Sequence, residues 1–238
     1  MAYAEKLALT RQRLADIAAS HPGAVLAHSL GAEDMVLLDL IAAANLPITA
    51  FSLDTGRLPA ETYTLLDALK THYPTHPVQV FFPDAAQVEA LVANEGMNGF
   101  YRSVEARKAC CGVRKMQPLK RALAGRSAWI TGLRREQSPT RQTVSDQEWD
   151  ADNGLVKYNP LIEWSEAEVW LYLRDHAVPY NALHDQHFPS IGCAPCTRAI
   201  SVGEDVRAGR WWWENPESKE CGLHVQSSTL KPPAVEPR

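Results

Sequence analysis

Between Ala24 and Gly132, short apolar runs alternate with helical patterns, and each run ends in a turn of small or polar residues. Ala24-Val25-Leu26-Ala27-His28, Ile48 to Leu53, Val78 to Phe82 and Trp129-Ile130 read as strands. A helix opens after Ser29-Leu30-Gly31-Ala32-Glu33-Asp34 and runs through Ile41, and another begins at Pro59 and continues to about Tyr73. Ahead of the first strand, residues 2 to about 20 place Tyr3, Leu7, Leu14 and Ile17 on one helical face, and His21-Pro22-Gly23 stops them. Residues 84 to about 124 read as helices, and Ser165-Glu166-Ala167-Glu168 is a capping box opening another. This alternation predicts an α/β fold: a mainly parallel sheet flanked by helices.

The chain has 238 residues, enough to bury a large core without disulfides. Its net charge of -4 argues against a protein that grips nucleic acid by bulk positive charge. No apolar run reaches the roughly 20 residues of a membrane span. Glu5, Lys6, Arg11, Arg13 and Asp16 break any secretory apolar core near the N-terminus, so the expected compartment is the cytoplasm. With no clear linker, the expectation is one domain over residues 1–226, its catalytic segment at about 200–226 mobile, followed by a disordered Ser- and Pro-rich tail over 227–238.

Five cysteines divide as four plus one: adjacent Cys110 and Cys111, a Cys193-Ala194-Pro195-Cys196 pair, and Cys221 alone in Glu220-Cys221-Gly222-Leu223-His224. Four thiolates suit tetrahedral zinc or an iron–sulfur cluster, while buried apolar cysteines plus a redox Cys-x-x-Cys is the plainer alternative. Neighbouring helical side chains diverge by about 100°, which suits one small ion poorly and favours an iron–sulfur cluster over zinc. The lone Cys221, beside a histidine, is a candidate thiolate nucleophile or else an inert thiol.

Ligands of open α/β sheets bind beyond the carboxyl ends of the strands. Three motifs fall there: Ser29 to Asp34, Asp54-Thr55-Gly56-Arg57, and Thr131-Gly132-Leu133-Arg134-Arg135-Glu136-Gln137-Ser138. The first joins a hydroxyl, a glycine and a helix start, which suits an anion. Arg134, Arg135 and Arg141 follow the fourth strand, and Arg207 and Arg210 add two more forks suited to phosphate or sulfate. A small anionic substrate fits these better than a polymer.

Taken together and in this order, these motifs, with Leu53 to Tyr63 and Cys110-Cys111-Gly112-Val113-Arg114-Lys115, resemble the assimilatory adenylyl-sulfate reductases of the PAPS/APS reductase family over about residues 24–224. The resemblance implies an adenine-nucleotide α-hydrolase-like fold with a modified pyrophosphate loop at Ser29 to Asp34. It implies reduction of adenosine 5′-phosphosulfate to sulfite and AMP in sulfate assimilation, with thioredoxin or a similar dithiol protein as reductant. Under it, Cys110, Cys111, Cys193 and Cys196 would hold a [4Fe–4S] cluster. Relatives acting on the 3′-phosphorylated nucleotide generally lack those four cysteines, although some cluster-bearing members accept both nucleotides.

The same resemblance implies roles at the site. Cys221 attacks the sulfonate sulfur and becomes a thiosulfonate, and His224 contacts the sulfate or orients the thiol. Ser29 and Gly31 approach the phosphosulfate, Leu53 and Gly132 lie along the adenosine, and Lys115, Arg141, Arg207 and Arg210 bind phosphate and sulfate. Rival readings are a 3′-phosphoadenosine 5′-phosphosulfate reductase, a zinc-stabilised ATP-pyrophosphatase-type enzyme and a non-catalytic metal-binding module. Trp211-Trp212-Trp213 is either a packed aromatic patch or a partner dock.

Overall fold

The computed structural model describes residues 1–138 and 141–215. Helix α1 (Tyr3–Ser20) precedes β1 (Val25–Ala27), α2 (Ala32–Ala43), β2 (Thr49–Leu53), α3 (Ala60–His72) and β3 (Val78–Phe81). Then come α4 (Ala85–Glu95), α5 (Val104–Cys111), α6 (Gln117–Leu123), β4 (Ala128–Ile130), β5 (Gln147–Asp150), β6 (Leu155–Tyr158) and α7 (Glu166–Asp175). The strand and helix runs expected up to Ile130, and the Ser165 cap of α7, are all present.

The strands form one six-stranded sheet in the order β3-β2-β1-β4-β6-β5, parallel except for β5. From β1 the chain winds outward through β2 and β3, then returns to lay β4 on the other side of β1. Strand order therefore reverses at the β1–β4 boundary, and a crevice opens at their carboxyl ends.

Alternation along each strand sorts the core onto two faces. Leu26, Ala50, Ala128 and Ile130 pack with Met35, Leu38 and Ile41 of α2 and Val169, Tyr172 and Leu173 of α7. Val25, Phe51 and Trp129 turn the other way, onto Leu119, Ala122 and Leu123 of α6. The expected α1 face is real: Leu14 and Ile17 are buried, and Tyr3 and Leu7 pack partly against the same cluster. Among the described residues, no helix is long and apolar enough to cross a membrane.

The β5–β6 hairpin was not expected from the sequence. Its signal is Asp152-Asn153-Gly154, where Gly154 takes φ +65° and closes the turn. Residues 201–215 run as turns, yet they are anchored: Thr197 bridges Arg210 and Trp211 is buried.

Candidate active site

A cleft of about 250 Å³ opens at the crevice. Its wall includes Ser29, Gly31, Leu53, Lys115, Gly132, Arg141, Arg207 and Arg210, together with Cys111, Cys193 and Cys196. Cys110 lies behind that wall, packed with Phe100 and Trp213 against Cys196. Cys221 and His224 lie outside the described residues.

The floor is the turn after β1. Asp34, in the first turn of α2, accepts the Ser29 N–H at 2.7 Å and the Ser29 hydroxyl at 2.6 Å. Burial pushes the Asp34 carboxyl up to about 6, while hydrogen bonds from Ser29 and from the Gly132 backbone pull it down. Ser29 thus spends both donors inside the turn, and the first amides of α2 are the groups left to meet an anion above Gly31. Gly132 seals the crevice from the β4 side. A Cβ there would lie 2.5 Å from Asp34 Oδ1 and 2.8 Å from Glu33 Cβ, so only glycine allows this approach.

The Arg-rich loop after β4 divides its charges. Arg134 is buried and paired with Glu33 at 2.9 Å and Glu136 at 3.1 Å. Arg135 turns away to Glu163 and the Val144 carbonyl. Arg141 lines the cleft, with its guanidinium against Gln137 Oε1. Gln137 is itself held by Glu33 at 2.9 Å. Lys115, on the π-helical turn Gly112–Met116 that follows Cys111, enters from another side. Arg207 and Arg210 enter from the segment after Ile200. Arg210 donates to the Ile191 carbonyl at 3.0 Å and stacks 4.8 Å from the Trp211 ring. Gly192 leaves room for it, since a Cβ there would fall inside the guanidinium.

The Asp54 to Arg57 motif does not supply ligand groups of its own beyond Thr55. Asp54 accepts the Gly56 N–H at 2.7 Å and the Tyr63 hydroxyl at 2.9 Å. Thr55 Oγ1 lies 3.1 Å from Cys193 Sγ, and the Arg57 carbonyl accepts the Ala194 N–H at 2.8 Å. Arg57 donates outward to Met97 O and Asn98 Oδ1, each at 2.8 Å. The motif is a strut that fixes the Cys-x-x-Cys turn to the end of β2.

The four described cysteines are all free thiols. Burial first, then the neighbouring sulfurs of Cys193, Cys111 and Cys110, push the Cys196 thiol up to about 12, while Arg210 pulls it down. Burial also raises Cys110, opposed by Arg114 and Arg57. Two segments far apart in sequence therefore bring four sulfurs within electrostatic reach of one another. Among the described residues, no group of three or more His, Cys, Asp or Glu is spaced to hold a single metal ion.

Two features escaped the sequence reading. Arg107 and Glu214 form a two-pronged ion pair, 2.8 Å at each prong, with side chains only 2% and 3% exposed. Arg107 lies 4.5 Å from the Trp211 ring, and the Trp211 N–H donates to the Cys196 carbonyl at 3.0 Å. A faint signal existed, because Arg107 stands one helical turn before Cys111. The second is His28, buried in the cleft floor, for which sequence position at a strand end was the sole hint.

Comparison with known proteins agrees with this geometry. The profile of the phosphoadenosine phosphosulfate reductase domain matches residues 23–199. The chain is 60% identical over 213 residues to an adenosine 5′-phosphosulfate reductase of Allochromatium vinosum, covering 90% of this chain and 83% of that one. It is 54% identical over 223 residues to the enzyme of the same name from Neisseria meningitidis, covering 94% and 91%. A crystal structure of phosphoadenylyl-sulfate reductase from Candida auris, in complex with phosphate, superposes with TM-score 0.69 at 25% identity, covering 80% of this chain and 90% of that one. The match spans the sheet, both cysteine pairs and the crevice wall up to Cys196, and the chain belongs to the phosphoadenosine phosphosulfate reductase domain family.

Proposed function

We propose that this chain reduces adenosine 5′-phosphosulfate to sulfite and AMP during sulfate assimilation leading to cysteine. Relatives at 54–60% identity carry that activity in their names. The observation that carries the reading to residues is the convergence of Lys115, Arg141, Arg207 and Arg210 on one cleft, beside the amides of α2 and three of the four clustered cysteines.

The nucleotide lies across the β1–β4 crevice, with its adenosine along Leu53 and Gly132 and its phosphosulfate toward the cations, Ser29 and Gly31. The Cys221 thiolate attacks the sulfonate sulfur. A sulfur–sulfur bond forms, the bond from sulfur to the bridging oxygen breaks, and AMP leaves with that electron pair. Charge develops on the leaving phosphate, where a positioned arginine contributes about 3 kcal/mol. A thiolate of thioredoxin, or of a similar dithiol protein, then attacks Cys221 Sγ and expels sulfite. Its second thiol closes the disulfide and frees Cys221, so the dithiol supplies both electrons. His224 orients the thiol or contacts the sulfate. Beyond Asn215, the segment expected to be mobile over about 200–226 and the tail over 227–238 lie outside the described residues.

Cys110, Cys111, Cys193 and Cys196 would hold a [4Fe–4S] cluster. When bound it supplies a fixed charge centre and a clamp between α5 and the Cys-x-x-Cys turn. The protein's own contribution there is Thr55 against Cys193, Arg210 near Cys196, and Lys115 carried on the turn directly after Cys111. Thiol chemistry of this kind belongs in a reducing compartment, and we place the chain in the cytoplasm.

Sulfite release from each sulfonucleotide, with thioredoxin present, tests the reading. Turnover of the 5′-phosphosulfate is expected. Turnover of the 3′-phosphorylated nucleotide alone would reassign the substrate, and turnover of neither would end the proposal. Iron and acid-labile sulfide in the purified protein test the cluster, which a colourless, zinc-loaded and active protein would contradict.

A further inference from the structure

His28 stands one residue beyond β1, at the floor of the cleft, and is 2% exposed. Its backbone N–H donates to the Phe51 carbonyl at 2.7 Å, which fixes it between the ends of β1 and β2. Its Nδ1 accepts the Leu30 N–H at 3.0 Å. Leu30 has φ +65°, a conformation unusual for a branched residue, and its side chain is buried in the core. The imidazole thus holds the Ser29 to Asp34 turn in a strained shape.

A nitrogen that accepts a hydrogen bond carries no proton, so the ring proton is on Nε2. That Nε2 is buried and has no hydrogen-bond partner among the described residues. Buried polar groups are almost always satisfied, so a leftover donor on a residue that lines the cleft calls for an acceptor that binding brings to it. Burial pushes the imidazole down to about 3, so it is neutral at any working pH. The cations of the cleft enter on other segments, at positions 115, 141, 207 and 210. A neutral donor apart from them suits the uncharged half of the ligand.

We infer that His28 is a positioning residue that shapes the nucleotide turn through Nδ1 and donates through Nε2–H to the nucleoside half of the bound nucleotide. The inference rests on the cleft being the nucleotide site. Its acceptor is a ribose oxygen or a base nitrogen.

Two substitutions separate the two ring nitrogens. His28→Asn keeps an acceptor near Nδ1 for the Leu30 N–H and removes the distal donor. His28→Gln keeps a distal N–H and gives up the near acceptor. Adenosine and AMP are the probes, titrated calorimetrically into the holoprotein. His28→Asn should bind both about tenfold more weakly, by the same factor, with its thermal midpoint at pH 7.5 close to that of the parent. His28→Gln should bind more tightly than His28→Asn while melting lower. Equal affinity of His28→Asn and the parent for both probes would overturn the inference. So would a loss for AMP that adenosine does not share, which would move the contact to the phosphate.

A measurement on the unaltered chain guards against misfolding of the variants. With ¹⁵N-labelled histidine, one ring should show a protonated Nε2 whose resonance moves on adding adenosine. If adenosine binds and that resonance stays put, His28 does not touch the nucleoside. If neither probe binds the parent at all, the cleft reading itself fails, and the inference falls with it.

Discussion

Burial acts in opposite directions on two neighbouring residues of the cleft floor. His28 is pressed from 6.5 to about 3, and Asp34 is raised from 3.8 to about 6. Between pH 6.5 and 3 the unfolded chain holds a proton on His28 that the folded chain lacks, so this residue makes stability fall as pH falls. Between pH 6 and 3.8 the folded chain holds a proton on Asp34 that the unfolded chain lacks, so stability rises as pH falls. The two slopes oppose each other in the shared window. His28→Asn removes only the first. Relative to the parent, it should gain about 2 kcal/mol on going from pH 7 to pH 5, measured by urea denaturation at both. A constant difference between the two proteins would contradict the buried neutral imidazole. Gly132→Ala tests the same floor sterically. Its methyl would meet Asp34 and Glu33, so unfolding free energy should drop by about 1–3 kcal/mol and nucleotide affinity should fall with it. At this scale much of the cleft was legible: Ser29, Gly31, Leu53 and Gly132 stand at strand ends, Arg141 follows the fourth strand, and Lys115, Arg207 and Arg210 come from segments away from the sheet. His28 was not, since a single buried histidine makes no pattern. Nor could sequence tell that Arg134 and Arg135 spend their charge on Glu33, Glu136 and Glu163, because the partners are distant in the chain.

Among elements, the tie between α5 and the segment after Ile200 is the least expected. Arg107 links the helix of Cys110 and Cys111 to Glu214, and Trp211 lies between it and Arg210. Glu214→Leu removes the two-pronged counter-ion of a buried guanidinium, so it should lower unfolding free energy by about 3–5 kcal/mol. Arg107→Met with Glu214→Leu together should cost less, because both members of the ion pair are then replaced by apolar side chains; chemical denaturation of the two variants distinguishes these outcomes. Arg107 and the cleft cation Arg210 both lie over the Trp211 ring, so the single variant should weaken nucleotide binding as well. The elements were readable wherever hydrophobic period and punctuation agreed, as in α1, β1, β2 and α3. The β5–β6 hairpin carries a weak signal: Gln147–Asp150 has a single apolar side chain, Trp149, and only the Asn153-Gly154 turn marks it in sequence. The π-helical turn after Cys111 has no sequence signature either; it changes the angle at which Lys115 leaves the helix.

For the whole molecule, a chain of net charge -4 turns four cations toward one cleft. That segregation steers a small anion, and kcat/KM for the sulfonucleotide should fall as ionic strength rises. Arg141→Ala should reduce kcat/KM about 100-fold, in line with loss of one preorganised donor to a developing anion. If steady-state kinetics show only a small change in KM, the leaving-group role belongs elsewhere. The central claim is the division of labour between four clustered cysteines and Cys221. It is tested most directly by mixing the protein with adenosine 5′-phosphosulfate, omitting any reductant, and mapping the modified peptides by mass spectrometry. One SO₃ group is expected on the peptide containing Cys221, released as sulfite when thioredoxin is added. An unmodified Cys221, with sulfite formed at the usual rate once thioredoxin is supplied, would contradict it.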